Sequence, residues 1–368
     1  MGHRPLYGHD ALRERLAASW HAGRLPASML LVGRRGVGKQ RLALWLGQLL
    51  LCERAAAEQL AEPCGGCQHC RYADRAVHPD LHWFFPRPRL KDSDPSADDI
   101  KADLAETIAE RMSADGLWSP SPGSDGLHVA TVRTLVRQAS VRPAMAARAV
   151  FVVGDAERMV SQEGADQAAN AFLKLLEEPS ASTTLILTSS EPGALLPTIR
   201  SRVVTIRVPP LTRSAMSEFL HDEAVVRRLQ VLARKHDMGA DAIARAAGAP
   251  GELFTGESTG ASFANAARLL EAALLPAASA GTAERAKAAA AQGVAGARGA
   301  FTDMLDAMTV LLHHRTQQCV AAGHDADARR TASAMMFVED AKQRAQGNVS
   351  PQLLTASLLS SLQRTLRR

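Results

Sequence analysis

No stretch of about eighteen consecutive apolar residues occurs in this 368-residue chain, so a membrane-spanning helix is not expected. The opening residues Met1-Gly2-His3-Arg4-Pro5 lack the apolar core of a secretory signal, and the reading is a cytoplasmic protein with no membrane partner. Aromatic residues make up only 4% of the chain, too few for a platform that stacks the bases of a single strand. An excess of one charge is nearly missing too. Lys and Arg number 43 against 38 Asp and Glu, and the resulting +5 is compatible with nucleic acid nearby but equally with an ordinary basic surface. What is there is a 46% hydrophobic content, enough to bury a sizeable core spread over two or three domains.

Cysteine is sparse but patterned. Cys64, Cys67 and Cys70 follow one another at three-residue intervals, with Cys52 upstream, and in a cytoplasmic chain this spacing suits a metal better than disulfides. Four thiolates around Zn2+ close a structural tetrahedral site with no open position for catalysis. His69, between two of the cysteines, is expected to face solvent, although it could replace Cys52 as a ligand. Cys319 stands alone in a helical context and reads as a small buried residue.

The chain is organised around Leu30-Leu31-Val32-Gly33-Arg34-Arg35-Gly36-Val37-Gly38-Lys39-Gln40, in which an apolar strand breaks into a glycine loop and then a helix. Gly33, Gly36 and Gly38 allow backbone N–H groups to converge on phosphate oxygens, and Lys39 reaches the outer phosphates. Gln40 stands where a Ser or Thr hydroxyl holds magnesium, and a neutral amide is a poorer ligand for that hard cation. Further buried strands are read at 78–84, 149–155, 183–189 and 203–208, alternating with helices at 129–140 and 168–178. That alternation predicts a doubly wound parallel sheet with ligand sites at the strand C-termini. Residues 86–126, rich in Pro, Asp and Ser with one helix from 97, read as a partly disordered surface insertion. After Pro209-Pro210 strand signals cease. A small helical bundle is expected over 213–247, then helices at 299–322, 329–344 and 351–367 after an Ala- and Gly-rich interruption at 276–299.

Together these segments resemble the clamp-loader branch of the AAA+ family, in the bacterial DNA polymerase III line. The resemblance rests on Gly33 to Lys39, on cysteines 52, 64, 67 and 70, and on Asn170-Ala171-Phe172-Leu173-Lys174-Leu175-Leu176-Glu177-Glu178-Pro179. It rests also on Ser189-Ser190-Glu191-Pro192 and Leu196-Pro197-Thr198-Ile199-Arg200-Ser201-Arg202. It covers residues 5 to 255. The implied architecture is an α/β AAA+ (RecA-like) domain over 1–208 with a zinc module at about 52–72, a helical lid over 209–254 and an all-α collar over 255–368.

Measured against that family, three catalytic parts are missing. Gln40 replaces the metal-binding hydroxyl, Asp155-Ala156 replaces an Asp-Glu pair with Glu157 displaced by one position, and Gly251 stands where the lid supplies an arginine. The resemblance therefore implies a non-hydrolysing subunit, in which Asp155 and Ser189 belong with the glycines, Lys39 and Gln40 to a degenerate site where ATP or ADP binding stays open. Ser201-Arg202 matches the family's trans-acting arginine finger, with Arg200 as a possible substitute. Implied partners are gamma/tau-like ATPase and delta subunits, the sliding clamp, and primer-template DNA through the assembled complex. Two other readings stand beside it: a gamma-like ATPase active in its own right, and a zinc protein whose module reads DNA. The second is disfavoured because Arg71 is the only cation between Cys64 and Tyr72. Arg133 and Arg137, one helical turn apart, could face DNA or plain solvent.

Overall fold

The computed structural model describes residues 5–92, 94–114, 116–117, 126–159, 166–233, 246, 248–254, 257–275, 279–290, 298–345 and 350–367. The chain divides into two compact units, the described residues up to 254 falling in the first and those from 257 in the second.

The first unit is built on β1 (Ser28–Val32), β2 (Leu81–Phe84), β3 (Ala149–Val153), β4 (Thr183–Ser189) and β5 (Val204–Arg207). They form one sheet in the order β2-β3-β4-β1-β5, every pair parallel. Strands β1, β3 and β4 are buried along their whole length, which is why they read as unbroken apolar runs rather than alternating ones. Helices cover the sheet: α1 (Asp10–His21), α2 (Lys39–Leu51), α3 (Glu53–Glu58), α4 (Gln68–Asp74), α5 (Ala97–Ser113), α6 (Val129–Ala139), α7 (Asp166–Glu177) and α8 (Pro197–Arg200). The core between the layers contains Leu31, Leu42, Leu46, Phe151, Phe172 and Ile186, each at most 1% exposed.

Two expectations are corrected here. Strand β5 is short and mostly exposed, because it pairs only with β1 at the sheet edge. The segment after Phe84 is not a loose surface loop in its described part. Ser96 and Asp99 cap α5 reciprocally, and Ile100, Leu104 and Met112 are buried. Arg87 meets Asp103 through two bonds of 2.9 Å, and Arg87 and Gly126 form an antiparallel bridge. The disorder expected there concerns in part residues 93, 115 and 118–125, which lie outside the described residues. Arg133 is ion-paired with Asp94 at 2.9 Å.

Asp80, just ahead of β2, ties the sheet to the turn before β3. It is 2% exposed, and its carboxylate accepts N–H bonds from Ala144 (2.6 Å), Met145 (2.8 Å) and Ala146 (2.7 Å). Burial pushes the Asp80 carboxyl up, but these backbone donors outweigh it and leave the pKa below the ordinary value. Asp80→Ala should cost about 3 kcal/mol in urea unfolding, since it strands three donors at once. In the native chain the carboxyl's stabilising share is complete above about pH 3.9, the unfolded value, and disappears as pH falls through the lower folded value.

The segment expected as a lid packs in the same unit as the sheet, as α9 (Arg213–His221), α10 (Glu223–Ala233) and a 3-10 turn over Pro250–Phe254. The expected helix beyond Ala233 falls largely on residues outside the described set. In the second unit the helices Glu257–Leu274, Ser279–Ala290, Arg298–Ala321, Asp325–Ala345 and Pro351–Leu366 bury Leu269, Met304, Leu305, Met308, Val338 and Leu359. The helix from Ser279 lies inside the stretch read as an interruption. Alanine is the strongest helix former, and its abundance there marks a helix rather than a gap. Cys319 is half-buried instead of buried. Among the described residues no helix is long and apolar enough to cross a membrane.

Candidate functional site

The glycine loop joins β1 to α2 at the C-terminal edge of the sheet, where a doubly wound fold places ligands. Gly36 (φ 75°) and Gly38 (φ 95°) take left-handed backbone that a side chain would resist. Lys39 is 5% exposed and its ammonium donates to the carbonyls of Gly33 and Arg34 at 2.9 Å each and to Ser190 Oγ at 2.8 Å. An ammonium has three protons, so these oxygens of the chain itself satisfy all of them. Burial draws the Lys39 pKa below its ordinary value, against the pull of Asp155 and Glu157.

Around that lysine the structure brings Gln40 and Asp155 together, with Gln40 Nε2 donating to Asp155 Oδ2 at 3.1 Å. Ser189 is buried but turns its hydroxyl to the Glu191 N–H. The hydroxyl that reaches Lys39 belongs to Ser190, one residue past the end of β4. Asp155 leaves β3 in a left-handed conformation (φ 46°), and Ala156 begins a one-turn 3-10 helix. Glu157 Oε1 accepts the Ser190 N–H at 2.9 Å; burial and the Asp155 charge raise its pKa. From the lid, Gly251 donates its N–H to the Gly36 carbonyl at 2.8 Å. A Cβ on Gly251 would lie 2.7 Å from Gly36 Cα, so the two backbones meet directly at the position where the resemblance implies an arginine.

The N-terminal segment carries no recognisable motif, yet it borders this site. His9 Nε2 sits 3.0 Å from the Val37 carbonyl, and Tyr7 donates its hydroxyl to Asp222 at 2.6 Å while packing edge-on against Phe219 of the lid. No local pattern marks these contacts, because they span up to 215 residues.

Arg202 lies apart from the loop, after α8. Its Nη1 donates to the Thr198 carbonyl at 2.9 Å, and its Nη2 pairs with Glu177 at the end of α7. The side chain is 27% exposed. Ser201 donates to the same Thr198 carbonyl at 3.0 Å. Arg200, two positions earlier, is exposed.

The four cysteines converge as their spacing implies. Their sulfur atoms all lie within 4.8 Å of one another, with Cys64–Cys70 and Cys52–Cys67 each 3.9 Å apart. A tetrahedron with Zn–S bonds of about 2.3 Å sets sulfurs about 3.8 Å apart, so the donor set fits that ion. Backbone N–H groups of Ala55 and Cys64 point at Cys52, that of Cys67 at Cys64 and that of Cys70 at Cys67, at 3.3 to 3.4 Å. For Cys64 burial opposes ionisation, but the N–H groups of Cys67 and Gly66 prevail and bring the thiol down to about 7. His69 is not solvent-facing as expected: it is 4% exposed, held between His78 (2.8 Å) and Glu53 (3.0 Å). His78 Nδ1 accepts the Asp80 N–H at 2.9 Å, and burial followed by the neighbouring His69 brings its pKa to about 4. His78 therefore stays neutral with its proton on Nε2, facing His69. The pair fastens the cysteine module to the sheet and supplies no ligand.

A family profile described as DNA polymerase III, delta subunit, matches residues 8–212. The delta-prime subunit of DNA polymerase III from Bacillus subtilis is 28% identical over 202 residues, covering 55% of this chain and 48% of its own. The delta-prime subunit from Pseudomonas aeruginosa is 32% identical over 191 residues, 52% of this chain and 45% of that one. The Escherichia coli delta-prime subunit is 28% identical over 248 residues, 67% and 59% respectively. The matched region thus spans about half the length of these curated relatives.

Proposed function

Because the chain belongs to the DNA polymerase III delta-subunit family, with delta-prime clamp-loader subunits as relatives, we propose that it is a non-hydrolysing clamp-loader subunit completing a neighbour's ATP site. In this reading it helps place the sliding clamp on primed DNA, beside gamma/tau-like ATPase and delta subunits, and touches primer-template DNA only through the assembled complex. The observation that carries the reading is the fate of the water-orienting carboxylate. Ala156 leaves a methyl group at its position, and of the displaced Glu157 carboxylate one oxygen accepts the Ser190 N–H while the other is buried without a hydrogen-bond partner. Phosphoryl transfer depends on positioning and charge stabilisation, and a carboxylate displaced by one residue and tied through one oxygen to the chain's own backbone is not positioned to orient water.

What the chain offers instead is Arg202. A guanidinium placed against the γ-phosphate of an adjoining subunit stabilises charge that builds up in the transition state. Ser201 and the Thr198 carbonyl support its base, and Glu177 holds it in the isolated chain. Zinc at Cys52, Cys64, Cys67 and Cys70 serves as a structural staple for α3 and α4 in this reading.

The purified chain should show no ATP turnover above background, with clamp and primed DNA present or absent, and Lys39→Ala should leave that result unchanged. Phosphate release by the native chain that Lys39→Ala abolishes would establish the gamma-like ATPase reading in its place.

A further inference from the structure

The phosphate-binding loop is packed from within, by residues that lie outside it. Gln40 Oε1 accepts the indole N–H of Trp83 on β2 at 3.1 Å, while its Nε2 donates to Asp155 Oδ2 at the same distance. Those partners fix which way round the amide sits, since an indole needs an acceptor and a carboxylate a donor. Gly154 leaves the room: a Cβ there would lie 2.5 Å from Gln40 Cδ. Trp83 is itself 5% exposed and lies under the guanidinium of Arg111, 4.8 Å from its ring centroid. Arg111 also sits 3.5 Å from the centroid of Phe85, and it comes from α5, inside the segment read as a surface insertion.

A magnesium ion with its nucleotide does not fit this arrangement. Magnesium demands oxygen ligands at about 2.0–2.1 Å, and here Asp155 faces an amide N–H while the lysine protons are spent on Gly33, Arg34 and Ser190. We propose that the Gln40 amide, held by Trp83 and braced by Arg111 from the inserted helix, fills the metal position permanently, so that the loop keeps its form without a ligand. The proposal rests on the non-hydrolysing reading and deepens it, but it is read out differently.

The full-length chain is titrated with ADP by calorimetry, once with excess magnesium and once with a chelator of magnesium. The native chain should bind ADP no more tightly with magnesium than without. Gln40→Thr, which supplies a hydroxyl and vacates the space, should bind at least about tenfold more tightly with magnesium. A native chain that already shows that tenfold ratio, or a Gln40→Thr chain that shows none, overturns the proposal. A second arm tests the brace: Arg111→Ala should raise amide hydrogen exchange across residues 33–40 at least about tenfold. Unchanged exchange there removes α5 from the device. The non-hydrolysing reading itself fails only on phosphate release by the native chain, which neither measurement detects.

Discussion

Arg202→Ala is expected to slow ATP turnover at the adjoining subunit's site by roughly 10³- to 10⁵-fold in a reconstituted loader supplied with clamp and primed DNA. An effect of that size is accessible because nothing in the chain holds Arg202 strongly. Its partner Glu177 is 45% exposed, and the ion pair between two half-open side chains is worth about 0–1 kcal/mol. Exchanging that carboxylate for a phosphate dianion therefore costs little. Arg200→Ala is the matched control: the residue is exposed two positions away, and turnover should stay within about threefold of native if Arg202 is the finger. A reconstituted complex that runs at full rate with Arg202→Ala ends the assignment, and a loss confined to Arg200→Ala transfers it.

Removing zinc should have the largest effect on structure. A structural site of four cysteines contributes on the order of 10–16 kcal/mol to local folding in small zinc modules. The described segment around it is two short helices, α3 of 6 residues and α4 of 7, which have no stability of their own. One zinc per chain is expected by elemental analysis. Its removal by a chelator, or Cys70→Ser, should bring hydrogen exchange over 52–67 close to that of an unfolded chain while β3 and β4 stay protected. Residues near His69 should retain part of their protection, because the His69–His78 contact ties them to Asp80 and β2 without the metal. Unaltered exchange throughout 52–74 after metal loss would refute a structural role for zinc.

Much of this molecule can be read from its residues, and the part that cannot has a common cause. Strands β1, β3 and β4 announce themselves because a strand covered on both faces needs an unbroken apolar run, as Leu30-Leu31-Val32 and Val150-Phe151-Val152-Val153 show. The cysteines and the glycine loop are equally plain, since their spacing is the chemistry. What local sequence hides is set by partners distant in the chain. Nothing near His69 tells that His78 and Glu53 enclose it, and nothing in 86–126 tells that Arg111 will lie on Trp83 and Phe85. The role of Ser190 is hidden for a narrower reason. Side chains alternate along a strand, and β4 ends one residue before the hydroxyl that Lys39 uses.

The backbone contact between Gly251 and Gly36 carries one more consequence. A protein that depends on a bound molecule to join its parts gains stability in proportion to the logarithm of that molecule's concentration. Here the Gly251 N–H and the Gly36 carbonyl make that joint from the chain's own peptide groups, a contact that needs no bound molecule. On the proposed reading, a fall in ATP that empties neighbouring subunits' pockets should leave the shape of this chain unchanged.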